Sequence, residues 1–211
     1  FDFFDTKIMI KSPIQKVTEN LQNRAIGIIY GSYKPLNTES LNKGILKDQN
    51  NLPLDAVVLG KTLPLIKKYI DFNKKYFFIV YPRNKNSDSL HLQIAGIWDP
   101  NSLNKEQKDH SQNPHEILKN FDLKDNYFSI RGKLIFVKIP EKEVIIKITP
   151  SNLLNKKIKS FKLILKAELP LNLINSFLSI DALRDGNSLR MENFEVIENN
   201  TIIIDWVMIL W

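Results

Sequence analysis

The chain has 211 residues, a formal net charge of +7 and 43% hydrophobic residues, the profile of a soluble globular protein long enough to bury one large core or two small ones. It contains no cysteine, which excludes disulfides, a thiol nucleophile and thiolate metal sites. No run of about 18 apolar residues is present, so no membrane-spanning helix is expected; the longest apolar stretch, 201–211, is short and interrupted by Asp205.

Residues 1–23 form a mixed lead-in segment. Its opening F-D-F-F-D is acidic where a secretory signal is basic, so it is not read as a signal peptide, and the chain opens on Phe1 rather than Met. Residues 14–22 read as a short helix or turn. A strand pattern then runs from Arg24 to Lys34, followed by strands at 43–47 and 54–60 with the turn residues D-Q-N-N between them. Residues 61–72 read as a helix capped by Thr62, with Pro64 in its first turn; Leu63, Ile66 and Ile70 share one face and Lys67 and Lys68 the other. Strands at 76–82 and 90–98 complete the set.

Residues 99–126 lose periodicity and read as a polar linker with one short helix near H-E-I-L-K-N-F. The pattern then restarts: strands at 127–139, 144–148 and 160–169, a short helical or irregular bridge at 171–177, and a final strand pair around R-D-G-N, a hairpin signal. Each copy has three strands, a helix or bridge and two strands. That order fits the OB-fold, a five-stranded Greek-key barrel. A small open sheet or an SH3-like barrel fits the same order; the doubled pattern and the long first strands favour OB. The expectation is a mainly β protein of two tandem five-stranded OB-like barrels, 24–98 and 127–198, with a short helix in each and an apolar C-terminal segment at 199–211. Gly27 and Gly31 sit in the first strand, and Gly132 holds a similar place in the second copy. A strand that bends to serve both halves of a barrel uses glycine or a bulge at the corner.

The stretches R-A-I-G-I-I-Y-G-S-Y-K-P, D-A-V-V-L-G-K, Y-F-F-I-V-Y-P-R and L-H-L-Q-I-A-G-I-W-D-P, with the later R-G-K-L-I-F, V-I-I-K-I and F-K-L-I-L-K-A-E-L-P, resemble a family of conserved cyanobacterial proteins with no established activity. The resemblance covers most of 24–198 and transfers no catalytic or binding residue. It implies an intracellular, cytoplasmic protein of a photosynthetic bacterium. The apolar end, Thr201 to Trp211, departs from the polar tail expected of that family.

Nothing in the chain argues for catalysis. No glycine-rich phosphate loop and no nucleophile elbow is present. His91 lies in a strand pattern, and His110 and His115 lie in a polar stretch without a matched third ligand, so neither a metal nor another cofactor is expected. The basic balance points instead to a polyanion, although Lys, Asn and Ile are also the residues that AT-rich codons favour. The arginines are more selective. Arg24 and Arg131 precede the glycine of a first strand, and Arg83 and Arg184 follow a fourth strand. Lys34, Lys47, Lys85, Lys133 and Lys138 lie near the same edges, and Tyr30, Tyr33, Tyr81 and Phe136 are the nearby rings.

OB barrels bind single strands by combining cations for phosphate with rings for bases. The sequence therefore nominates Arg24, Arg83, Arg131 and Arg184, with Lys34, Lys85 and Lys133, as phosphate contacts for single-stranded nucleic acid, RNA more than DNA. Tyr33 and Tyr81 are nominated to stack bases. The competing class is a protein-interaction or assembly factor that docks a partner on the barrels or on the Ile- and Trp-rich end. A basic groove holding Arg24 and Arg83 with exposed rings supports the first, and an apolar patch around Trp98 or Trp206 the second.

Overall fold

The computed structural model describes residues 11–37, 39–85, 89–100, 113–150 and 159–200. The apolar end 201–211, His110 and most of the first half of the 99–126 stretch lie outside these residues.

Five strands and a helix form the N-terminal unit: β1 (Arg24–Pro35), β2 (Lys43–Asp48), β3 (Pro53–Val58), α1 (Leu63–Tyr69), β4 (Tyr76–Lys85) and β5 (Ser89–Trp98). They bond in the order β2-β3-β5-β4-β1, and β1 closes the ring on β2. α2 (Pro114–Lys119) follows, and the second unit repeats the plan with β6 (Tyr127–Lys138), β7 (Glu143–Ile148), β8 (Phe161–Lys166), β9 (Phe177–Asp185) and β10 (Ser188–Glu198). Its order β7-β8-β10-β9 is closed by β6 pairing with both β7 and β9. Both are closed Greek-key barrels of OB topology. The element between β8 and β9 is a single 3-10 turn, Leu171–Leu173, within the short helical or irregular bridge expected at 171–177.

Local chemistry accounts for the turns. The Asp48 carboxylate accepts the backbone N–H groups of Asn50 (2.9 Å) and Leu52 (2.8 Å), which closes the β2–β3 turn. Gly186 takes φ +58° in the two-residue β9–β10 loop. Thr62 does not cap α1; its hydroxyl donates to the Ala95 carbonyl (2.8 Å) and ties the helix entry to β5. Ile66 is fully buried in the core while Lys67 and Lys68 stay exposed. Of the helix or turn read over 14–22, the structure shows irregular chain with a turn at 20–21, where Arg131 of β6 donates to the Asn20 and Gln22 carbonyls.

Two glycines answer the corner problem. A Cβ on Gly31 would fall on the Lys47 carbonyl oxygen, and one on Gly132 on that of Lys147. The first strand of each barrel thus crosses the second too closely for any side chain. Gly27 does something else. It faces Phe128 of β6 in register, and the Phe128 ring fills the space a Cβ would take.

That contact lies at a seam. The first halves of β1 and β6 pair antiparallel, from Arg24↔Arg131 to Ile28↔Tyr127, so both barrels share one ten-stranded sheet. One continuous core cluster runs through both, from Ile29, Leu46 and Phe78 to Phe128, Leu163 and Ile180. A second cluster of Ile28, Phe77 and Trp98 lies under Ile14 of the lead-in and Ile117 and Leu118 of α2. Further contacts cross between barrels at the β4–β5 arm: the Ile164 N–H donates to the Asn84 side chain (2.9 Å) and the Leu90 N–H to the Asn187 carbonyl (3.0 Å). Among the described residues no helix is long and apolar enough to cross a membrane.

Candidate nucleic-acid interface

A groove of about 580 Å³ opens where the two barrels meet. Lys16 comes to it from the lead-in, Arg24 from β1, Lys61 from the turn before α1, Tyr81 and Arg83 from β4, and Phe161 from β8. The other lining residues are apolar or uncharged, so four cations meet with no carboxylate in the wall.

Both arginines are held in place. Arg24 donates from Nε (3.0 Å) and Nη2 (2.7 Å) to the Ser129 hydroxyl and from Nη1 (2.6 Å) to the Gln15 carbonyl, leaving part of its five-donor fork unused. Arg83 donates to the Pro82 carbonyl (2.8 Å), and its guanidinium lies 3.8 Å from the centre of the Phe161 ring. Burial lowers the pKa of both groups. At Arg24 the Tyr127 and Asp181 side chains oppose burial while Arg131 adds to it, and at Arg83 Tyr81 opposes it. Guanidinium stays protonated through such shifts. The result is partly desolvated positive charge in a groove whose wall holds no carboxylate, Asp181 acting on Arg24 from outside it, an arrangement that an incoming anion relieves. The ring of Tyr81 beside it offers a flat surface to a base.

The structure thus brings together three of the nominated residues, Arg24, Tyr81 and Arg83. Others serve elsewhere. Tyr33 is fully buried in the first barrel, where its hydroxyl donates to the Leu41 carbonyl (2.9 Å) and burial pushes its pKa up to about 12, so it is not offered to a base. Arg131 is 5% exposed and spends its guanidinium on the Asn20 and Gln22 carbonyls. Arg184 pairs with the buried Asp48 across the barrel junction and donates to the Asn126 side chain (2.7 Å) and the Gly186 carbonyl (2.7 Å). These two are struts. Arg24 and Arg131 are not copies of one slot, as their spacing suggested, but register partners across the seam. Lys34 and Lys133 are exposed and lie outside the groove. Lys85 ends β4, and its side chain is outside the described residues.

Lys16, Lys61 and Phe161 were not nominated. Nothing local marks them, because each reaches the groove only through the docking of the two barrels. The histidine reading also resolves in part: the His115 ring packs edge-on against Tyr30 (4.6 Å) and Phe77 (4.8 Å) as part of the second core. Among the described residues no three His, Asp or Glu side chains are grouped to hold a metal. Trp98 is 7% exposed beneath the chain's own lead-in, with its Nε1 donating to the Lys11 carbonyl (3.0 Å), so it offers no apolar docking patch; Trp206 is outside the described residues.

Comparison with known proteins gives a consistent picture. Residues 25–105 match the family model of the PatR RNA-binding protein, N-terminal OB-fold domain. Residues 130–198 match that of the cyanobacterial OB-fold-like RNA-binding domain, C-terminal, so the two together cover more than two thirds of the chain. No curated protein matches the chain. Among solved structures, the wild-type single-stranded DNA-binding protein from Thermus aquaticus aligns at 10% identity and a TM-score of 0.38, over 83% of this chain and 93% of that one. A deletion mutant of the same protein aligns at 10% identity and a TM-score of 0.37, over 82% and 93%. Likenesses this distant add nothing to the assignment.

Proposed function

Because the chain belongs to the PatR family of cyanobacterial OB-fold RNA-binding proteins, we propose that it binds single-stranded RNA in the groove between its two barrels, in the cytoplasm and without a chemical step. Lys16, Arg24, Lys61 and Arg83 hold phosphates, and Tyr81 stacks a base. The observation that carries this reading is the convergence of four cations and two rings in one groove with no carboxylate in its wall. Charge of one sign, with its two arginines partly desolvated and pre-positioned, favours a polyanion over a protein surface of mixed charge.

The test is fluorescence anisotropy with labelled single-stranded RNA, single-stranded DNA and duplex controls, over a salt series from about 50 to 200 mM. Log affinity for single-stranded RNA is expected to fall linearly with log salt. Arg83→Ala lowers the slope by about 0.7, the value of one phosphate contact on a single strand. Tyr81→Ala weakens binding about tenfold at all salt concentrations, as a lost stacking partner does. Binding that neither substitution changes, or no binding at the lowest salt, overturns the assignment.

A further inference from the structure

The second barrel leaves one strand edge open. In the first barrel β3 pairs with β5 at Leu92, Gln93 and Ile94, the Leu59 N–H donates to the Ile94 carbonyl (3.0 Å), and the Thr62 hydroxyl reaches the Ala95 carbonyl. In the second barrel β8 meets β10 at a single register pair, Lys166 with Arg190. β8 ends there and the chain turns away, with the Ala167 N–H donating to the Lys142 carbonyl (2.9 Å). Residues 192–198 of β10 therefore pair with β9 on one side and with no strand among the described residues on the other. An open row of N–H and C=O groups is a template for another strand.

Side-chain pattern says what fits the edge. Register shifts between Met191 and Asn193 and between Val196 and Glu198 keep its two faces sorted. Phe194 and Val196 lie opposite the core residues Ile180 and Leu178, and each is 37% exposed where no strand covers it. Glu195 and Glu198 lie on the other face, opposite Ser179 and Phe177. Glu192 shares Arg190 at 2.9 Å, whereas Glu195 and Glu198 form no ion pair among the described residues, and no cation occurs from 191 to 200. In a chain of net charge +7 this is a local acidic edge. It repels the same edge of a second copy and attracts a cation. We propose that residues 192–198 dock an extended basic segment of a partner protein, which adds as a strand in the place that β8 leaves at Lys166. Main-chain bonds to the open edge hold it, its apolar residues cover Phe194 and Val196, and its alternate lysines or arginines pair with Glu195 and Glu198. The edge lies outside the groove lining, so the partner docks whether or not the groove holds RNA.

The experiment uses the whole chain without RNA and a labelled peptide of alternating lysine and valine, about seven residues long to match the open edge. Two controls are a glutamate–valine peptide and the lysine–valine peptide N-methylated at every residue, which cannot donate to the edge. Fluorescence anisotropy is expected to show the lysine–valine peptide binding about tenfold or more tighter than either control. Adding it slows hydrogen exchange at 192–198. A double Glu195→Lys, Glu198→Lys variant weakens that peptide by about tenfold or more, as two cross-strand charge pairs become like charges. The same variant gains affinity for the glutamate–valine peptide, which shows that it is folded. Equal binding of the methylated peptide, no binding by the wild type, or a preference that the charge reversal leaves unchanged refutes the docking. Protection of 192–198 before any peptide is added also overturns it, because the chain itself or a second copy then fills the edge, and sedimentation tells which.

Discussion

Arg184 was a plausible phosphate contact by its place at the end of a fourth strand, and the structure makes it an internal strut; the two roles predict opposite results on substitution. Its side chain is 4% exposed, and its ion-pair partner Asp48 is 1% exposed. Arg184→Ala leaves the Asp48 carboxylate buried with the two turn N–H groups but without its cation. Removing one partner of a buried pair costs about 3–5 kcal/mol, because the other charge stays desolvated. For a chain of this size that lowers Tm by about 6–20 °C, at roughly 2–4 °C per kcal/mol. Asp48→Asn should cost less than Asp48→Ala, since the amide oxygen can still accept from Asn50 and Leu52. Circular-dichroism melts give the stabilities, and anisotropy well below Tm gives the salt slope of RNA binding. The strut reading expects a large loss of Tm with the slope intact. A Tm within about 3 °C of wild type, well below that range, together with a slope lowered by about 0.7, refutes it and returns Arg184 to the RNA.

Two further outcomes follow from the fold. Gly31→Ala and Gly132→Ala each place a Cβ against a backbone carbonyl that cannot move without opening the β1–β2 or β6–β7 pair, so each costs about 3 kcal/mol or more by thermal or urea unfolding; Gly60→Ala, with nothing within 4 Å, is neutral or slightly stabilising, and equal effects at all three positions contradict the close-approach account. Asp125 is a carboxylate whose pKa is raised, chiefly by burial and against the backbone N–H groups of Tyr30 and Asn126 and the charges of His115 and Arg184. A raised folded-state pKa means the native state holds its proton more tightly, so the stabilisation is complete below about 3.9 and is lost as pH rises toward the raised value. Asp125→Asn keeps the acceptor for the Tyr30 N–H (2.7 Å) and removes that loss, so its Tm should rise relative to wild type between acid and neutral pH; a constant difference across the series counts against the assignment.

The repeated strand order was legible because alternation and turn residues are local. Asp48 and its following asparagines, the R-D-G-N hairpin and the Ile66 face of α1 all behave as their chemistry dictates. The proposed binding site was only partly legible. Arg24 and Arg83 stand out as arginines at strand ends, and Tyr81 as a ring beside one of them. Arg131 and Arg184 carry the same local signature and are buried struts, because Asn20, Gln22 and Asp48 reach them from distant parts of the chain.

The sequence by itself determined two copies of a five-stranded plan, a basic balance and the corner glycines, since each depends on residues within a few positions of one another. The tertiary structure alone decided that β1 and β6 join the barrels into one sheet, that Gly27 is empty to admit Phe128, and that Lys16, Lys61 and Phe161 meet Arg24 and Arg83 in one groove. Those outcomes depend on which outward faces pack together, and burial of apolar surface, being non-directional, leaves that choice to the whole molecule.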